Sequence, residues 1–156
     1  MIRFFIIPKI HKNISNEELI TTQKDFRELY DKQHFLNFKS YENICDQIKV
    51  LSNLYKCYIL TNKPSKPSRA IIKNLNLEKY FSEIIGVDFF EKRGATKGEN
   101  LFALIKNYSI DARDSIYIGD TFSDYLASKE NKVFFIPFIR GYYQWSSKEL
   151  KKFKFY

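Results

Sequence analysis

Four short, unbroken apolar runs, separated by stretches of helical spacing, set the fold class of this 156-residue chain. The runs are Cys57-Tyr58-Ile59-Leu60, Ile84-Ile85-Gly86-Val87, Ser115-Ile116-Tyr117-Ile118 and Val133-Phe134-Phe135-Ile136, the last closed by Pro137. Ahead of the first, Ile44, Ile48, Leu51 and Leu54 recur at helical intervals. Ile71, Ile72 and Leu75 do so before the second, and Leu101, Leu104, Ile105 and Tyr108 before the third. Strands alternating with amphipathic helices predict βαβ units around a parallel sheet. Helices on both faces of such a sheet explain runs that are continuous rather than alternating.

A further helix is expected at the N-terminal end. Ser15 and Glu18 match the S-x-x-E capping box, and Ile14 with Leu19 fit a hydrophobic staple. That helix is expected to run to about Tyr30, followed by a polar stretch from Asp31 to Ser40. Hydrophobic residues make up 44% of the chain, enough for a packed core. No apolar run reaches the roughly 18–20 residues of a membrane span. The Phe4–Ile7 run stops at Pro8 and Lys9 with no small-residue cleavage site after it, so a cytoplasmic protein is expected. Cys45 and Cys57 form no C-x-x-C pair and have only His11 and His34 for company, which argues for buried apolar thiols and against zinc.

The balance of 26 Lys+Arg against 18 Asp+Glu gives a net charge of +8. The clearest basic cluster is the tail, where Lys148, Lys151, Lys152 and Lys154 interleave with Phe153, Phe155 and Tyr156. A nucleic-acid partner is not favoured, because charge alone supports it and a solvated tail accounts for the same pattern.

In open parallel sheets the chemistry lies beyond the carboxyl ends of the strands. Three such places stand out. Thr61 and Asn62 offer a hydroxyl and an amide to an oxyanion. Lys97 opens a helix in Thr96-Lys97-Gly98-Glu99, where an ammonium and the helix amides act together on a phosphate. Asp120 and Asp124, four residues apart at the start of a short helix, offer oxygen ligands to Mg²⁺. Asp88 follows the second run and is the remaining acidic residue at a strand end. Together these residues outline a phosphoryl-transfer site. The stretch from Gly94 to Lys97 is not a P-loop, since G-x-x-x-x-G-K-[ST] is absent.

Three segments carry a family resemblance. Y-I-L-T-N-K-P, A-T-K-G-E-N-L-F-A-L-I-K and I-Y-I-G-D-T-F-S-D resemble motifs II, III and IV of the haloacid dehalogenase-like (HAD) superfamily, in its phosphoglycolate-phosphatase-like branch. The likeness spans roughly Phe26 to Gly141. It implies a Rossmann-like core with an N-terminal helical cap remnant, and hydrolysis of phosphate monoesters with Mg²⁺. It further implies that Thr61 bonds the transferring phosphoryl group and that Lys97 pairs with nucleophile and phosphate. Asp120 would bind the metal, and Asp124 would support it. The division expected is a cap-like remnant over 1–38, the α/β core over 39–142 and the basic-aromatic tail over 143–156.

One motif is missing. The family's D-x-D-x-[TV], whose first aspartate attacks phosphorus, has no counterpart, because no D-x-D occurs in the chain. If Met1–Ile7 is the first strand, Pro8 and Ile10 occupy the two aspartate positions. If Phe5–His11 belongs to the cap, the chain starts inside the cap; the second reading is favoured. Either way the expectation is a phosphatase-type protein that is inactive or incomplete by itself. The alternatives are a pseudo-phosphatase binding a phosphorylated ligand and one half of a split phosphatase. The expected partners are a small phosphorylated metabolite and either a second copy or a complementing polypeptide.

Overall fold

The computed structural model describes part of residues 15–28 and all of 40–90, 95–141 and 143–151. The expected staple residues Ile14 and Leu19, residues 1–14, and Gly94 lie outside the described residues. Ser15 does form its capping box: its hydroxyl accepts from the Glu18 N–H at 3.2 Å and the Glu18 carboxylate accepts from the Ser15 N–H at 2.9 Å. The described residues from 17 to 28 are helical.

From there helices and strands alternate. They are α1 (Ile44–Leu54), β1 (Tyr58–Leu60), α2 (Ser65–Asn74), β2 (Glu83–Ile85), α3 (Lys97–Asn107), β3 (Ile116–Gly119), α4 (Phe122–Glu130), β4 (Phe134–Pro137) and a last short α5 (Ser147–Leu150). Each expected strand is present with ends shifted by at most two residues; β1 and β2 are one residue shorter than expected, and β3 and β4 keep four residues each. α5 falls in the tail and starts on a Ser146–Glu149 capping box. The fold class is α/β, as the alternation predicts.

Three helices stop in the same way, without glycine. After α2, α3 and α4 a residue in the left-handed region turns the chain: Asn76, Ser109 and Lys132, with φ of 57°, 50° and 57°. The next residue then donates its N–H back to a carbonyl five residues earlier: Leu77 to Ile72, Ile110 to Ile105 and Val133 to Ser128, at 2.9–3.0 Å. This is the Schellman closure, and it is accompanied by an apolar residue after the left-handed one. Leu77 and Val133 are buried, so each stop also anchors the chain as it turns toward the next strand.

Two compact units result. Described residues up to Tyr58 and Lys66–Ile84 make one; Ile59–Ser65 and the described residues from Ile85 onward make the other. In the first, Leu77 and Ile84 are buried, and the Ser82 N–H bonds the Cys57 carbonyl at 2.7 Å. Cys45 and Cys57 are free thiols and half-buried, less covered than the sequence suggests.

In the second unit β3 and β4 pair in parallel, Ile116 opposite Phe134 through Gly119 opposite Pro137. Pro137 is tolerated because the β4 segment donates to the β3 segment from the Phe134 and Phe138 N–H groups, so the ladder loses no hydrogen bond at 137. α4 packs on β3 and β4, and α3 packs on α4. Leu101, Leu104, Ala127, Val133 and Phe135 are buried here; full burial of a Leu, Val or Phe contributes about 1.5–3 kcal/mol each. The other face of this pair departs from the expectation of cover on both sides. Ile116, Ile118 and Phe134 are 62%, 56% and 42% exposed. The side-chain alternation of the strand puts these three on the face away from α4.

Candidate active site

The loop after β1 is set by backbone pairing. The Thr61 N–H bonds the Ile85 carbonyl at 2.9 Å, and the Val87 N–H bonds the Lys63 carbonyl at 3.0 Å. These bonds run in step along the two segments, as in parallel pairing. The Thr61 hydroxyl accepts from the Lys63 N–H at 3.2 Å, which uses a lone pair and not the hydroxyl proton. Asn62 stands at the tip of the same half-buried turn. Asp88 fastens the loop's far end: its Oδ1 accepts from the Ser65 N–H at 2.6 Å and from the Ser65 hydroxyl at 2.7 Å. Asp88 thus caps the start of α2.

Lys97 is the first residue of α3. Thr96 caps that helix, accepting from the Glu99 N–H while the Glu99 carboxylate accepts from the Thr96 N–H at 2.7 Å. The cap fixes where the helix begins and therefore where the Lys97 stem departs. Its ammonium reaches Oδ1 of Asp124, with the lysine side chain 9% exposed and the aspartate 4%.

Asp124 is the centre of the arrangement. Thr121 is the N-cap of α4 and Asp124 its third residue, the second member of another capping box. Oδ2 accepts from the Thr121 N–H at 2.9 Å and from the Thr121 hydroxyl at 2.6 Å. Oδ1 accepts from Lys97 and from the Tyr117 hydroxyl at 2.8 Å. Burial pushes the carboxyl up. The bonds from Lys97, Thr121 and Tyr117 outweigh it and hold the group below the ordinary carboxylate value. Tyr117 is pushed up, first by burial and then by the Asp124 charge, so it stays a neutral donor.

Asp120 precedes the cap, at the end of β3. A second loop covers its backbone. The Tyr143 N–H bonds the Asp120 carbonyl at 3.2 Å, and the Phe138 N–H bonds the Gly119 carbonyl at 2.8 Å. Gly141 lies so close that a Cβ there would stand 2.1 Å from the Asp120 Cβ. The sequence pattern marks neither Tyr117 nor Gly141 as a site residue. The clue for Gly141 is a lone glycine in a loop, and Tyr117 reads as one more apolar strand residue.

The structure therefore joins Lys97 and Asp124 directly, places Asp120 at the adjoining strand end, and sets Thr61 and Asn62 in the turn after β1. A Mg²⁺ ion needs six oxygens, some of them water. Among the described residues no three His, Cys, Asp or Glu side chains cluster. Asp124 already commits both oxygens within the chain. Asp120 alone is too little, so the described residues do not by themselves fit Mg²⁺.

A haloacid dehalogenase-like hydrolase model matches residues 6–138. The chain belongs to the haloacid dehalogenase-like hydrolase family. Phosphoglycolate phosphatase 1 of Pseudomonas aeruginosa is 29% identical over 133 residues, and a phosphoglycolate phosphatase of Pseudomonas fluorescens 28% over the same number. Each match takes in 85% of this chain and 48% of the enzyme, so the chain spans about half the length of these curated relatives. Among solved structures, a haloacid dehalogenase-like hydrolase of Streptococcus pneumoniae superposes with a TM-score of 0.70 over 80% of this chain and 58% of its own, at 22% identity. A structure described as a predicted phosphatase, from Clostridium acetobutylicum, gives 0.76 over 90% and 64%, at 23% identity. These likenesses establish the fold. Within this haloacid dehalogenase-like chain, Thr61, Lys97, Asp120 and Asp124 stand at strand ends and helix starts, where the sequence pattern puts them. No helix among the described residues is long and apolar enough to cross a membrane.

Proposed function

We propose that this chain is the phosphate-holding part of a phosphatase of the haloacid dehalogenase-like family, acting on a small phosphate monoester. Thr61, Asn62 and Lys97 bind the phosphate. The observation that carries the reading is the buried Lys97–Asp124 pair. A buried lysine is expensive unless paired, and this one sits at a helix start, where the amides add to its field. In this reading Asp120 would hold Mg²⁺ only together with phosphate and water, and Asp124 would support the site, since the described residues alone do not fit the ion.

The chain's own residues stop short of turnover. They bind, orient and neutralise, but no D-x-D supplies the attacking carboxylate or the acid/base that follows it. Losing a nucleophile has cost about 10⁶ in turnover in a hydrolase of another class. Calorimetric titration with inorganic phosphate is expected to show binding, weakened about tenfold or more by Lys97→Ala, the loss of a charge-assisted contact. Turnover of p-nitrophenyl phosphate with Mg²⁺ is expected to stay at background. Robust turnover abolished by Asp120→Asn would overturn the inactive reading, and phosphate binding untouched by Lys97→Ala would overturn the site.

A second reading, one half of a split phosphatase, is favoured by the exposed Ile116, Ile118 and Phe134 face. Apolar side chains at this exposure suit cover by another polypeptide. Co-expression with a segment bearing D-x-D-x-[TV] is expected to give a stable complex that hydrolyses p-nitrophenyl phosphate. Failure of the two to associate removes this reading.

A further inference from the structure

The phosphate reading gives no work to the hydroxyl of Tyr117, although it bonds the same carboxylate oxygen as Lys97. We propose that Tyr117 is a positioning residue: by fixing the Asp124 carboxylate it fixes the Lys97 ammonium that binds phosphate. The inference rests on the reading of Lys97 as a phosphate-binding residue.

The geometry supports a clamp. The torsion that turns a carboxylate about its Cβ–Cγ bond is broad and twofold, so one anchored oxygen leaves it free to swing. Thr121 anchors Oδ2 at 2.9 Å and 2.6 Å. Tyr117 anchors Oδ1 at 2.8 Å, and the swing is removed. Lys97 is a point charge on a flexible four-carbon stem; its place is set by the atom it bonds, and that atom is the one Tyr117 holds.

Tyr117 is itself held. Its ring meets Phe135 edge-on, with centroids 6.3 Å apart and planes at 79°. Phe135 is buried and packs at 5.7 Å from the Tyr125 ring and 5.9 Å from Trp145. Such packing keeps the ring, and so the hydroxyl, from turning away. The phenol lies on β3, the lysine on α3 and the carboxylate on α4, so the clamp ties three elements at one point.

The test is a double-mutant cycle read by calorimetric titration with inorganic phosphate on the full chain. Tyr117→Phe keeps the ring and is expected to weaken phosphate binding about three- to tenfold, less than loss of a direct hydrogen bond to a charged group, because Tyr117 acts through Lys97. In a Lys97→Ala background the same change is expected to leave affinity unaltered, because Tyr117 then has nothing to position. Val133→Ala serves as the structural control. Val133 is buried in the same unit, so the change lowers the melting temperature while keeping the Tyr117 hydroxyl and its Phe135 contact, and affinity is expected to stay within about twofold. If the phenylalanine variant does not fold, Tyr117→Met, a flexible apolar filler, carries the same expectation. Equal losses in both backgrounds, or none in either, overturn the positioning role and leave Lys97 as the phosphate ligand. An unmodified chain that binds no phosphate overturns both.

Discussion

Asp124→Ala is expected to cost about 3–5 kcal/mol, the range for breaking a buried ion pair from one side, and to lower the melting temperature by about 10 °C. Three losses coincide. Lys97, 9% exposed, keeps its charge without a counter-charge. The Thr121 N–H and hydroxyl lose their acceptor at the head of α4. The Tyr117 hydroxyl loses its partner. Asp124→Asn separates these effects, since an amide oxygen still accepts from Thr121 but carries no charge for Lys97. The sign of the pH dependence follows from the direction of the shift. The folded-state pKa of Asp124 lies below its ordinary 3.8, with burial raising it and Lys97, Thr121 and Tyr117 lowering it further. A depressed carboxylate contributes its stability in full above the unfolded value and loses it as pH falls through the folded one. The melting-temperature gap between the unmodified chain and Asp124→Asn is therefore widest near neutrality and closes as pH drops below 3.8. A gap of the same width at about pH 3 would show that the charge of Asp124 is not what stabilises the fold.

Periodicity made much of the scaffold legible. The runs around Ile59, Ile85, Ile118 and Phe135 all lie on or beside strands, because short buried segments must be apolar whatever surrounds them. Helix starts were legible in part. Ser15 was expected to close a capping box, and Thr96, Thr121 and Ser146, each likewise three residues before an acidic partner, close boxes that were not foreseen. The stops were less visible. Asn76, Ser109 and Lys132 take up a left-handed conformation that glycine adopts at least cost, and nothing in the local sequence marks Ser109 or Lys132 for it. What selects them is tertiary: the next residue must be apolar and reach the core, as Leu77 and Val133 do. The apolar run of β3 does not say how many of its faces find a partner; what pointed to an uncovered face was the missing D-x-D and the first strand that carries it.

At the site, residue types disclosed candidates but not their bonds. Asp120 and Asp124 look alike as a pair of acids four apart. The family resemblance gives them different roles, and the fold supplies the physical difference, putting Asp120 ahead of the N-cap and Asp124 at the third helical position with both oxygens committed. Tyr117 was illegible because a tyrosine in a strand carries the same hydrophobic signal whether or not its hydroxyl has a task.

Gly119→Ala is expected to be nearly as damaging as loss of Asp124, at about 3 kcal/mol, the upper part of the range for forcing atoms into a filled site. A Cβ on Gly119 would stand 2.4 Å from the Cβ of Asp124 and 2.7 Å from its Cγ. The obstructing atoms are the root of a side chain fixed by the start of α4, so a rotamer change cannot clear them. Gly119 cannot retreat either. It is the last residue of β3, in register with Pro137, and its carbonyl holds the Phe138 N–H at 2.8 Å. The first turn of α4 must therefore move, and it carries the Thr121 cap and the Asp124 carboxylate with it. The substitution thus reaches Lys97 without touching it. Calorimetry is expected to show a fall of about 10 °C in melting temperature, and titration a loss of phosphate affinity comparable to that of Lys97→Ala. Gly141→Ala is a measure of what a similar overlap costs in a loop. Its Cβ would press on Asp120 at 2.1 Å, but it stands in a loop that can shift, so the stability loss is expected to be smaller. A Gly119→Ala chain that melts within about 1 °C of the unmodified one would mean that β3 and α4 do not meet this closely.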